Sequence, residues 1–156
     1  MRLLDGILGD WRVVTEIITQ DGDWTEQSVA MATFEKRLNG LLISEIETER
    51  LSWEGQNPAL ELDITFDQYR DVYRLSVIDD GWGIMDVYEG ELEDAVLTVT
   101  NLKSGTSYPL ENGGELFFKL EIPVSGDERV MNIGMSSDKG ETWRPFYRVT
   151  YKRVGE

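Results

Sequence analysis

Runs of alternating apolar and polar residues, cut short by Gly-containing turns, constrain this chain more than any other feature. In Leu60-Glu61-Leu62-Asp63-Ile64-Thr65-Phe66-Asp67 every even position is apolar and every odd one polar. That is the pattern of an antiparallel strand with one buried face and one wet face. Leu116 to Ile122 alternates in much the same way and stops at Pro123, which cannot donate to a strand ladder. Val130 to Met135 and Tyr147 to Tyr151 repeat the pattern. Between the runs stand Asp21-Gly22, Asn39-Gly40, Asp80-Gly81, Asn112-Gly113-Gly114 and Ser125-Gly126-Asp127. Such pairs supply the positive φ angles that tight hairpins need. About ten strands at roughly 8–12-residue spacing predict an all-β fold: one antiparallel up-and-down barrel of about 8–10 strands. No linker, repeat or low-complexity tract divides residues 1–156, so one domain is expected.

Helix has little support. Leu3, Leu4, Ile7 and Leu8 predict one or two apolar-faced turns before Gly9. The run Leu41 to Arg50 fits either period, but the Asn-Gly turn before it and its β-branched residues favour strand.

Two absences narrow the chemistry. The 156 residues include no histidine and no cysteine. Zinc held by His or Cys, haem on a proximal histidine, iron–sulfur clusters, Ser-His-Asp and Cys-His nucleophiles and disulfides are all excluded. Thirty acidic against 15 basic residues give a formal charge of −15, with no basic run. Nucleic acid and anionic membranes are therefore not expected partners. No apolar stretch reaches bilayer-spanning length, and the N-terminus has no apolar core of signal-peptide length, so a cytoplasmic location is expected.

The two chain ends belong together. The first strand places Trp11, Val13, Thr15 and Ile17 on one face; the last places Tyr147, Val149, Tyr151 and Arg153 on one face. Antiparallel pairing of first and last strands brings Arg153 to Trp11 as a cation–π pair, and closure removes exposed sheet edges. A short apolar turn, Gly9-x-Trp11 opening the first strand and Arg153 near the end of the last resemble the calycin superfamily of lipocalin-like barrels. The resemblance implies that Gly9, Trp11 and Arg153 close the barrel floor; Arg148 has the opposite parity. Tyr73 to Trp82 leading into Gly90, the hairpin Ser136 to Trp143, and Arg148-Val149-Thr150-Tyr151-Lys152-Arg153 more narrowly resemble an uncharacterised bacterial family of lipocalin-like domains. That family implies a fold and no common activity.

Ser136-x-Asp138-x-Gly140-x-Thr142-Trp143 also resembles the Asp-box of sialidases, where side chains bond the turn's own backbone. One copy cannot build a propeller, so a structural hairpin is expected. Asp21-Gly22-Asp23 and Asp79-Asp80-Gly81 fail the calcium-loop pattern, and no phosphate loop is present. No metal and no cofactor are expected.

A few polar residues break the pattern. Leu42, Ser44, Ile46, Thr48 and Arg50 share one parity, and Asp86 shares a parity with Ile84 and Tyr88. If those faces point inward, the interior holds polar groups that need partners or a ligand. Arg50, Asp86, Tyr88, Tyr73 and Trp82 are the candidate ligand-binding residues; filling the core or facing water is the plainer reading of each. Binding of a small, largely apolar molecule in the barrel is the expected function. The alternatives are a histidine-independent enzyme using Asp, Glu, Tyr or Arg groups, and an acidic protein-interaction module. A homodimer is compatible with all three.

Overall fold

A computed structural model describes residues 1–53 and 58–155, without the side chain of Trp53. The strands are β1 (Gly9–Ile18), β2 (Trp24–Arg37), β3 (Leu42–Trp53), β4 (Leu60–Asp67), β5 (Val72–Asp79), β6 (Met85–Glu93), β7 (Val96–Thr100), β8 (Tyr108–Pro109), β9 (Glu115–Pro123), β10 (Glu128–Ser136) and β11 (Arg144–Arg153). They form a continuous antiparallel meander that closes on itself: β9 pairs with β10 as well as with β7, and β11 pairs with β1. The short β8 hangs on β9 alone, which leaves ten strands in the barrel wall. Closure gives each of the ten wall strands a paired neighbour on both sides. Among the described residues no helix is long and apolar enough to cross a membrane.

The alternating runs lie where the wall requires them. Ile43 pairs with Ile64, Ile64 with Leu75, and Leu75 with Tyr88, so one inward belt crosses four strands. All four residues are buried. Each large apolar side chain removed from water in this way contributes about 1.5–3 kcal/mol before the entropy of ordering is subtracted. From Leu42 onward the run Leu41 to Arg50 resolves as strand.

The N-terminal turn is a 3₁₀ helix, Arg2–Ile7, lying across one end of the barrel. Leu4 and Ile7 are fully buried beneath it, while Leu3 faces out. Gly6 is required at this point, since a Cβ there would stand 2.2 Å from the Val124 carbonyl oxygen. The turn lies on the barrel and forms its floor. At the opposite end β3 and β4 pair only from Leu42–Thr65 to Glu45–Leu62 and then separate. The wall opens there.

Candidate functional site

The floor is built from both chain ends. Trp11 lies opposite Arg153 in the β1–β11 register, with the guanidinium carbon 4.2 Å from the ring centroid. Arg153 also donates to the carbonyls of Leu8 (2.8 Å) and Gly6 (2.9 Å) and to Asp127 (2.8 Å). Trp11 Nε1 donates to the Ile7 carbonyl at 2.8 Å. Gly9 has a φ of +109°, and a Cβ there would stand 3.0 Å from Arg153 Nη1, so glycine suits both the backbone and the space. Arg148, of opposite parity, forms a forked pair with Glu16 on the outer face.

A second arginine lies inside that floor. Arg129, at the start of β10, is 2% exposed, and its guanidinium carbon stands 4.3 Å from the Trp11 centroid, 4.6 Å from Tyr151 and 5.4 Å from Phe34. Its Nη1 donates to the Pro123 carbonyl at 3.0 Å. Its Nε and Nη2 are buried with no hydrogen-bond partner. The three rings offset part of the cost of burying the charge, because a π face attracts a cation. They do not replace hydrogen-bond acceptors, so two donors of a buried cation remain unmet.

Tyr151 links Arg129 to a carboxylate. It pairs with Arg129 across β10–β11, and its hydroxyl donates to both oxygens of Glu45, at 3.0 and 3.1 Å. Glu45 stands on the inward side of β3, opposite Phe34 of β2 and Leu62 of β4. Burial pushes its carboxyl from the ordinary 4.5 up to about 7, with the Glu47 charge adding to the rise and the Tyr151 bond and the Arg129 charge opposing it. Burial raises the Tyr151 phenol well above its usual range and lowers Arg129. A protein of net charge −15 thus gathers two arginines around one indole at its floor.

Where β3 and β4 separate, a cleft of about 240 Å³ is lined by Ile46, Glu47, Leu60, Ile78, Asp79 and Asp80, among others. Glu47 faces Ala32 and lies two residues along β3 from Glu45. That volume is below the ~300–1,000 Å³ of drug-sized sites.

Arg50 lies opposite Ala30, and Ala30 lies opposite Val13. An irregularity in the β2–β3 register, which skips Thr48 in the pairing, puts Arg50 on the same side as Glu47 despite the odd spacing. The two form a forked pair at 2.8 and 3.2 Å. Asp86 receives the Tyr88 hydroxyl (2.7 Å), the Thr106 hydroxyl (2.6 Å) and the Asn101 amide (3.2 Å to each oxygen). Burial, with the Asp86 charge second, raises the Tyr88 phenol above its usual range. Tyr73 is buried with its centroid 4.8 Å from Phe66, and Trp82 is 66% exposed in the β5–β6 turn. The structure therefore brings Asp86 and Tyr88 together and leaves Trp82 outside the barrel.

The β10–β11 hairpin bonds to itself. Ser136 Oγ donates to Asp138 and accepts from the Gly140 amide, and Asp138 accepts the Thr142 amide at 2.9 Å. Gly140 has a φ of +86°. Trp143 lies against it, and the Lys119 ammonium stands 5.1 Å from the Trp143 centroid.

With this geometry established, the comparisons with known proteins place the chain. The family described as Protein of unknown function (DUF1579) matches residues 1–153. The chain belongs to that family. No curated protein matches it. Among solved structures it is similar to the crystal structure of Rv2717c from M. tuberculosis, at 13% identity and a TM-score of 0.64, over 99% of this chain and 96% of that one. At that identity the likeness speaks for the barrel alone. For this DUF1579 member, the site has to be read from its own residues.

Three of those residues escaped the sequence pattern. Arg129 has the parity of Met131 and Ile133, which marks it as inward, but it follows a turn and looks like a rim charge. Glu45 sits in a run whose parity is ambiguous, and the register places Ile43 and Glu45, not Leu42 and Ser44, beside the core residues Ile64 and Leu62. Tyr151 shares a face with Val149 and Arg153, and nothing along the chain marks a partner for its hydroxyl.

Proposed function

We propose a lipocalin-like use of the barrel: it binds a small molecule with an apolar body and an anionic end, the anionic end seated at Arg129. The observation that carries this reading is the pair of buried, unpartnered guanidinium donors of Arg129. A carboxylate is planar and accepts in a fork, so it matches Nε and Nη2 better than a hydroxyl or a water would. Val13, Leu62, Met131 and Val149 belong to the same packed apolar core as Trp11 and Tyr151, the surroundings that an apolar body would enter. The reading keeps the small, largely apolar ligand expected for a barrel of this kind and adds a charged end.

Octanoate and its uncharged counterpart 1-octanol are the probes that test it. Titration calorimetry should show octanoate binding more tightly than 1-octanol, and Arg129→Met should weaken octanoate at least about tenfold while leaving 1-octanol nearly unchanged. Equal affinity for the two probes in the unaltered protein would remove the reading.

The Glu45–Tyr151 hydrogen bond favours a second reading, acid–base chemistry on the bound molecule, because a carboxyl near neutrality is suited to moving protons. It requires an ester or other labile probe to be consumed by the unaltered protein and left intact by Glu45→Gln.

A further inference from the structure

We propose that an anion binding at Arg129 is taken up together with one proton, which goes to Glu45. The inference rests on the reading of Arg129 as the anion anchor and adds a regulation to it. Arg129 and Glu45 flank one phenol: the guanidinium carbon is 4.6 Å from the Tyr151 centroid, and the Tyr151 hydroxyl is 3.0 Å from Glu45 Oε1. The carboxylate and the guanidinium therefore adjoin one buried phenol, one at its hydroxyl and the other over its ring.

The charges facing Glu45 come from few places. On its own strand Glu47 is paired with Arg50. From β11 comes Tyr151, from β10 Arg129, and beyond Arg129 the Arg153 that shares the Trp11 ring. From β2 and β4 the residues opposite are Phe34 and Leu62, which carry no charge. Arg129 is thus the cation that helps Glu45 stay ionised. A ligand carboxylate on the free donors of Arg129 neutralises that help and adds a like charge nearby. Two carboxylates sharing one site do not both ionise readily. Glu45, already near neutrality, takes a proton from solvent, and its neutral hydroxyl can then donate to the ligand or to Tyr151. No bond other than that O–H forms.

The sign follows from linkage. Binding raises the Glu45 pKa, so the complex holds more protons than the free protein from about pH 7 upward. Affinity is full below that pH and falls as pH rises, by up to about tenfold per pH unit. The test is calorimetry of octanoate, ionised throughout, with the full chain between about pH 6 and about pH 9 in two buffers of different ionisation enthalpy. The expected result is uptake of close to one proton per octanoate near about pH 8, and a fall in affinity of about fivefold between about pH 7 and about pH 8 and about tenfold between about pH 8 and about pH 9. In Glu45→Gln both effects should vanish while octanoate still binds. 1-Octanol, carrying no charge, should bind the unaltered protein without proton uptake, which keeps the test valid if the variant does not fold. Octanoate that binds more tightly than 1-octanol but with no proton uptake overturns the linkage and spares the anchor. Proton uptake that persists in a folded Glu45→Gln overturns it too. Octanoate binding no better than 1-octanol at any pH overturns the anchor itself, and the linkage with it.

Discussion

Arg153 and Trp11 face each other across the β1–β11 seam, and the guanidinium of one stands 4.2 Å from the ring centroid of the other. The same guanidinium holds two carbonyls of the N-terminal turn, so one side chain joins the seam of the barrel to its floor. Arg153→Met removes the charge-assisted bonds and the cation–π contact together. It should cost about 2–4 kcal/mol, read as a shift of the urea midpoint at constant slope. Arg153→Lys should recover less than half of that, because an ammonium cannot reach three acceptors from one fork. A loss within about 0.5 kcal/mol for both would show that the floor is held by apolar burial alone.

Gly9 and Gly22 separate two reasons for needing glycine. Both have positive φ, +109° and +86°, but a Cβ at Gly22 meets open space whereas one at Gly9 meets Arg153. Gly22→Ala should cost about 1 kcal/mol from backbone strain, and Gly9→Ala about 2–3 kcal/mol. Thermal melts of the two variants side by side decide the matter; equal losses would mean that Arg153 simply moves aside.

Glu45 should make stability fall with rising pH. Its folded-state pKa of about 7 lies above the ordinary 4.5, so its contribution is fully present below about 4.5 and is lost as pH rises through 7. The full span of that loss is at most about 3 kcal/mol. Glu45→Gln cannot ionise and should match the unaltered protein near about pH 5 and exceed it near about pH 8. Urea unfolding at both pH values is the measurement, and a difference that does not change with pH would contradict the burial of that carboxyl. Asp67 works in the opposite direction: its bond from Arg74, chiefly, holds it at about 2, so its contribution is present above 3.8 and lost as pH falls through 2.

Asp86 joins β6 to the segment after β7 through Tyr88, Asn101 and Thr106. Asp86→Ala leaves the buried Asn101 amide and the Tyr88 hydroxyl without that acceptor, and should cost about 2–3 kcal/mol. Hydrogen exchange should show the loss of protection concentrated in residues 101–106. Even loss around the barrel would place the role of Asp86 elsewhere.

How much of this was legible in the chain depends on which force acts at each position. The strands were, because period-2 alternation and Asn-Gly turns are local and strong: Leu60–Asp67 was expected as a strand and forms β4. The pairing of Trp11 with Arg153 was also legible, since a barrel wall must close and parity chooses the arginine. Asp86 stood out because it broke an apolar face that it shares with Tyr88, but the pattern could not say that Asn101 and Thr106 also supply its donors. Those two come from 15 and 20 residues away, beyond any local period.

The floor cluster shows the limit most clearly. Arg129, Tyr151 and Glu45 come from three strands, and Tyr151 and Glu45 are 106 residues apart. Alternation told which residues alternate, and the missing histidines and cysteines told which chemistries this barrel cannot use. Those are properties of neighbours along the chain, and of composition. Which inward charge is left without a partner is a property of neighbours in space. Strand register sets it, and so does the placing of one cation among three rings. Only closure of the barrel decided that Arg129 would be buried with two donors unmet.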